Sequence, residues 1–343
     1  MLSKPKIAFA ARNFGAPAGG MEQFSRDVLE ALRPAYDVRP VVHQSGKLGQ
    51  FPYMLGLRSR LKRLRAREGV QAVDASDASL SPFVTRAGLR TSIRVHGLDL
   101  LYANPAYQAL VRRALPRVDL VVANSRPTRA LLSRFGLPEE RSTVIHPAAA
   151  APTGWRHRAV HREILMLGRL VPRKGVAEFV RDVWPGLAKD HTEARLHIVG
   201  DGPERSHLGI QLRAAPHADR VTFHGRVPRP EVEKRLATAE VVVMNNRHVP
   251  GNFEGFGMVA IEAAVRGVPV VAGRVDGVVD AVVPGRSGLL CEPEDPGALR
   301  AALEDVFGGK LPSSSHIADF ARRTWGMDRL REQYVDALKP LVA

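Results

Sequence analysis

Hydrophobic positions along the chain fall into short unbroken runs separated by stretches of helical spacing. Runs such as Leu120-Val-Val-Ala123 and Val241-Val-Val-Met244 lack the alternation of a strand with one wet face. Both faces of such a strand are buried, as in a parallel sheet covered by helices. The pattern predicts strands over residues 6–14, 37–43, 71–74, 91–95, 119–124 and 143–146. A second set is predicted over residues 163–167, 195–199, 221–224, 240–244, 269–272 and 288–291. Helical spacing fits residues 20–32, 105–115 and 127–135, then 176–189, 229–239, 256–266 and 296–307. Strand and helix alternating twice over predict an α/β chain of two doubly wound, Rossmann-like domains. Residues 147–154 carry no periodicity and read as the linker, so the domains are expected at residues 1–150 and 151–325. Two further helical patterns break near residues 324–326, which lets the last helix, about 326–343, cross back onto the first domain.

Ligands of open parallel sheets bind beyond the carboxyl ends of the strands, so polar residues at those ends are the candidates. After the first strand, Gly15 to Gly20 form a glycine-containing loop that opens a helix, with Gly19 and Gly20 at its mouth. Such a mouth favours phosphate, although any tight strand-to-helix turn also calls for glycine. It is not the Gly-x-Gly-x-x-Gly fingerprint of dinucleotide enzymes. His96, followed by glycine at another strand end, can project an imidazole into the space between the domains or bond to nearby backbone.

The second half carries the denser chemistry. Leu167-Gly168-Arg169 leads into Arg173-Lys174-Gly175 before a helix. A guanidinium with its planar fork and an ammonium as a mobile point charge suit a diphosphate. Gly200 and Asp201 follow one strand, and Gly225 and Arg226 another, placing small residues where a flat base can lie against backbone. Glu254-Gly255-Phe256-Gly257-Met258 then enters an apolar helix, and Glu262 lies eight residues beyond Glu254. In one helix that places Glu262 about two turns deeper and roughly 80° round from Glu254. Amides of the glycine-rich entry suit an anion, and carboxylates accept hydrogen bonds from sugar hydroxyls.

Composition narrows this further. The 343 residues are 45% hydrophobic, enough for two cores. The single cysteine, Cys291, excludes a disulfide framework and a cysteine-based zinc site and fits a reducing cytoplasm. No apolar run approaches the ~20 residues that span a bilayer. The formal charge of +15 invites phosphorylated substrates or anionic lipid. It is dense over residues 58–67, where Leu57, Leu61 and Leu64 keep helical spacing. That segment is a basic amphipathic helix, either a membrane-surface face or an arginine-rich solvated helix. Nucleic acid is not expected, since no binding motif or aromatic platform accompanies the charge.

Taken together, Gly-Arg-Leu with Arg173-Lys174-Gly175, Val-Gly-Asp-Gly-Pro, and Glu254-Gly-Phe-Gly with Glu262 resemble the retaining glycosyltransferases of the GT-B fold, family 4. The resemblance spans essentially the whole chain and is strongest from residue 164 to 291. It implies two domains facing a central cleft, with acceptors on the first. It also implies Gly19 and Gly20 near the donor phosphates and His96 near the transferred sugar. Arg169 and Lys174 would neutralise the diphosphate, Glu254 would hold hydroxyls of the transferred sugar, and Glu262 the ribose. Where the family often has Gly-Gly-x-x-Glu, this chain has Asp276-Gly277-Val-Val-Asp280.

The function so implied is metal-independent transfer of a hexose from a nucleotide-diphosphate sugar, with retention, in cell-envelope polysaccharide or glycolipid synthesis. No cofactor is expected beyond that donor. The expected acceptors are a sugar, a glycolipid or a polyprenyl-diphosphate-linked glycan, and the expected location is the cytoplasm or the inner face of its membrane. An epimerase or sugar-phosphate synthase of the same fold, or a non-catalytic sugar-nucleotide-binding protein, are the competing readings.

Overall fold

A computed structural model describes residues 4–12, 14–15, 19–44 and 49–343. Residues 16–18 of the glycine loop, Asn13 of the first predicted strand and the first three residues lie outside these. The chain divides into two compact units, Met1–Ala148 with Met327–Ala343, and Ala149–Gly326.

The first unit holds six strands: β1 (Lys6–Ala11), β2 (Asp37–Val42), β3 (Ala72–Ala75), β4 (Arg90–Val95), β5 (Leu120–Ala123) and β6 (Ser142–Val144). They pair in the order β2-β1-β3-β4-β5-β6, all parallel. The helix Met327–Val342 belongs to this unit and packs on the helix Gly20–Leu32. Leu330, Tyr334, Leu338 and Leu341 supply its buried stripe, at helical spacing.

In the second unit the strands are β7 (Glu163–Leu167), β8 (Arg195–Val199), β9 (Val221–Gly225), β10 (Val241–Met244), β11 (Val270–Gly273) and β12 (Gly288–Cys291). Their order is β12-β11-β10-β7-β8-β9, again parallel. All four residues of β10 and of β11 are buried, the consequence of helices on both faces. Strand order reverses between β7 and β10 here and between β1 and β3 in the first unit. Those are the crevices at which doubly wound sheets take ligands.

The helix expected at 127–135 is Arg126–Ala130 followed by a 3-10 stretch, Leu131–Phe135, and three more differ from the pattern. The segment expected at 176–189 is Val176–Glu178, a π-helical stretch Phe179–Val183 and Trp184–Asp190. Pro185 has no amide to donate and forces the ladder to widen. The helix Arg205–Ala214 carries little apolar periodicity, because Leu208 alone is buried and Gly209 interrupts it. The third, expected at 256–266, spans only Met258–Ala264, since Gly257 caps it at φ 95°.

The helix Gln50–Glu68 includes the basic segment, and its leucines are a correction. Leu57 and Leu61 are fully buried in the first unit's core, and Leu64 packs against it. The apolar stripe therefore faces protein. Phe51 and Leu55 are exposed instead, beside the exposed Arg58, Lys62, Arg63, Arg65 and Arg67. Among the described residues, no helix is long and apolar enough to cross a membrane.

Candidate active site

The reversal point of the second unit gathers most of the predicted residues. β7 ends at Leu167, with Gly168 and Arg169 following; its neighbour β10 ends at Met244, with Asn245 and Asn246 following. A 3-10 turn, Pro172–Lys174, closes at Gly175 in the left-handed region. A side chain at Gly175 would run into the Asn245 carbonyl, so glycine is required twice over. The turn is tied down from the β10 side: Asn245 Nδ2 donates to the Gly175 carbonyl at 2.7 Å, and the Arg247 amide to the Arg173 carbonyl at 2.9 Å.

This scaffold delivers two cations to one carboxylate. Lys174 Nζ lies 2.8 Å and Arg173 Nε 3.0 Å from Glu254 Oε2. Arg173 Nη1 also donates to Asn252 Oδ1 at 2.6 Å. Glu254 is buried. Burial drives its pKa up, but the Lys174 ammonium and the Arg173 guanidinium outweigh that and hold it below the ordinary carboxylate value. Asn246 approaches the same oxygen at 3.4 Å, and its own Oδ1 is buried with no partner. The exposed Arg169 lines a small pocket at the strand ends with Gly168, Lys174, Val199 and Met244.

Backbone hydrogen bonds bring the three predicted glycine corners together. The Gly168 amide donates to Val199 O at 3.0 Å, and the Gly200 amide to Gly225 O at 2.8 Å. Asp201 Oδ1 accepts its neighbour Gly202's amide at 2.9 Å, and Arg226 is exposed. Phe256 is buried, and Gly255 and Met258 are half-buried.

Glu254 does not stand at the mouth of the following helix, because Gly257 is the cap. It sits three residues earlier, on a loop held by the Asp276 side chain. Glu262 lies within the helix, where Arg229 Nη1 reaches its Oε2 at 3.1 Å. Arg229 also pairs with Glu233, which pairs with the buried Arg266. The Glu262 carboxylate is therefore already partnered.

In the first unit, Gly19 caps its helix, but its amide donates to Glu22 Oε2 at 3.0 Å. A phosphate there would compete with that carboxylate. His96, just beyond β4, is buried. Its amide donates to Asp99 Oδ1 at 2.8 Å, and its Nε2 lies 2.8 Å from the Ser76 carbonyl. A carbonyl oxygen only accepts, so Nε2 is the donor of this bond. Phe24 packs edge-to-face against it at 5.9 Å.

Beside His96 lies an ion pair without a role in the sequence reading. Arg12, after β1, donates through Nε to Asp77 Oδ1 at 3.0 Å. Both follow the strands at which the order reverses. Burial raises the Asp77 pKa, yet Arg12 and the hydroxyls of Ser79 and Ser76 bring it below the ordinary value. A charged residue within two positions of the end of each of two neighbouring strands was the available signal.

Two family models cover most of the chain. Residues 161–308 match "Glycosyl transferases group 1" and residues 17–149 match "Glycosyltransferase Family 4". The chain is 31% identical over 290 residues to a GDP-mannose-dependent alpha-(1-6)-phosphatidylinositol monomannoside mannosyltransferase of Mycolicibacterium smegmatis, covering 79% of this chain and 75% of that one. The chain belongs to the family 4 glycosyltransferases. The fold of this glycosyltransferase is the GT-B fold of its structural neighbours. The lipopolysaccharide outer core galactosyltransferase WaaB superposes with a TM-score of 0.75 at 19% identity, over 97% of this chain and 99% of that one. Anabaena Alr3699/HepE in complex with UDP-glucose gives 0.76 at 18% identity, over 98% and 99%.

Proposed function

We propose that this glycosyltransferase moves a hexosyl group from a nucleotide-diphosphate sugar, GDP-mannose being the first donor to test, onto a hydroxyl of an anionic, lipid-linked acceptor. The observation that carries the reading is the convergence of Lys174 and Arg173 on Glu254 where the strand order reverses, with Arg169 beside them. The relatives named for GDP-mannose support the choice of donor.

Cleaving the sugar–diphosphate bond sends the bonding electrons to a phosphate oxygen and leaves positive charge on the anomeric carbon. Fixed cations aimed at that oxygen stabilise the separated charges more than the intact donor. Lys174 and Arg169 fill that role, so the protein itself supplies the neutralising charge without a metal. Glu254, held ionised, accepts hydrogen bonds from hydroxyls of the transferred sugar. The acceptor hydroxyl attacks from the face the diphosphate leaves, its proton passing to the departing oxygen, and configuration is retained. The basic face of the helix Gln50–Glu68 holds the anionic surface carrying the acceptor through its exposed cations, Leu57 and Leu61 being buried in the core.

A thermal-shift panel of nucleotide-diphosphate sugars tests the reading, because a ligand that binds only the native state raises its melting temperature. GDP-mannose is expected to give a shift that mannose and inorganic phosphate do not. A panel in which no nucleotide sugar shifts the transition contradicts the reading.

A further inference from the structure

Asp276 is one of four non-glycine residues at positive φ among those described, at φ 43°. Glycine enters that region freely; an L-residue enters it at a cost, and aspartate is among the few found there with any frequency. Its side chain shows what the conformation achieves. Asp276 Oδ2 accepts the Glu254 amide at 2.9 Å, and the Gly277 amide returns a bond to the Glu254 carbonyl at 2.9 Å. Donor and acceptor of the Glu254 main chain both end on consecutive residues of one turn.

That turn is itself fixed. Val275 and Val278, on either side, are buried in the second unit's core. A side chain on Gly277 would run into the Gly255 carbonyl, so the two backbones are in direct contact. At its far end the Glu254 side chain meets Lys174 and Arg173. The residue thus hangs between a backbone clamp and a pair of cations.

We propose that Asp276 is a positioning residue: it fixes the main chain that carries Glu254 and so sets where the Glu254 carboxylate meets the donor sugar. The inference rests on the donor reading above. It also accounts for a carboxylate where the Gly-Gly-x-x-Glu pattern has glycine. A glycine there would adopt the turn freely but leave the Glu254 amide without its side-chain acceptor.

The test uses the full chain with Asp276→Gly, Asp276→Asn and Lys174→Ala, following GDP release from GDP-mannose in water alongside thermal unfolding. Asp276→Gly is expected to melt no lower than wild type, because the strained φ is relieved. Its kcat/KM is expected to fall about 10- to 100-fold, as for a misplaced reactive group, while its affinity for GDP stays the same. Asp276→Asn, which keeps a side-chain oxygen for the Glu254 amide, is expected to recover most of that loss. Hydrogen exchange of residues 252–258 is expected to quicken in Asp276→Gly and stay slow in Asp276→Asn, with or without donor. Wild-type activity or unchanged exchange in Asp276→Gly overturns the proposal, as does an Asp276→Asn variant no better than Asp276→Gly. Full activity in Lys174→Ala counts instead against the donor reading, and the exchange measurement then still decides the clamp.

Discussion

The Lys174 ammonium stands 2.8 Å from Glu254 Oε2, the same oxygen that Arg173 reaches at 3.0 Å. One carboxylate thus holds two cations, leaving the trio with a net positive charge at the strand ends. On the proposed reading, a diphosphate drawn to Lys174 would free Glu254 from one of its partners as it arrives, leaving the carboxylate an oxygen for a sugar hydroxyl.

That pairing fixes how Glu254 responds to acid. Because Lys174 and Arg173 hold its pKa below that of a free glutamate, about 4.3, its contribution to stability is complete above that pH. It is lost as pH falls through the lower folded-state value. Wild type is therefore expected to exceed Glu254→Gln in melting temperature from neutral pH down to about 4.3, with the gap closing at lower pH. A gap that stays constant into strong acid would show that Glu254 is not held ionised by its partners.

The first unit has its own buried pair. Arg94 Nη1 donates to Asp74 Oδ2 at 2.7 Å, with the two side chains 0% and 1% exposed. Removing one member strands the other charge, so Arg94→Ala is expected to cost about 3–5 kcal/mol in urea unfolding. The exposed Arg63→Ala is expected to stay within about 0.5 kcal/mol of wild type. A loss of less than about 1 kcal/mol in Arg94→Ala would mean that water or a rearranged partner satisfies Asp74.

Much of the fold was legible because continuous apolar runs, such as those of β5 and β10, have few readings other than a strand buried on both faces. The helix Arg205–Ala214 was not, since one buried leucine makes no stripe. Leu57 and Leu61 show a second kind of limit. Their spacing declared an apolar face but not what covers it, and the answer was the protein's own core. In the site, the residue types at Arg169, Lys174 and Glu254 announced themselves by position after strands. The bonds between Lys174 and Glu254, Arg12 and Asp77, and Asp276 and the Glu254 amide join residues 80, 65 and 22 positions apart. No local pattern encodes such contacts.

With Leu57 and Leu61 internal, the proposed grip of the helix Gln50–Glu68 on a membrane rests on its exposed cations. Binding to vesicles rich in phosphatidylserine is expected at about 0.1 M salt and to be lost by about 0.5 M, where the screening length drops to a few ångströms. Charge reversal at Lys62, Arg63 and Arg65 is expected to abolish it with no change in melting temperature. Vesicle binding that survives high salt would require apolar insertion, for which the exposed Phe51 and Leu55 are the residues to replace.

The central claim is that Lys174 stabilises the departing diphosphate. Its most direct measure is the kcat/KM for nucleoside-diphosphate release, in wild type and Lys174→Ala, from the donor giving the largest thermal shift. Removing a fixed donor of this kind is expected to cost at least ~2 kcal/mol of transition-state stabilisation, about a 30-fold fall, in a variant that remains folded. A folded Lys174→Ala variant with wild-type kcat/KM would contradict the account.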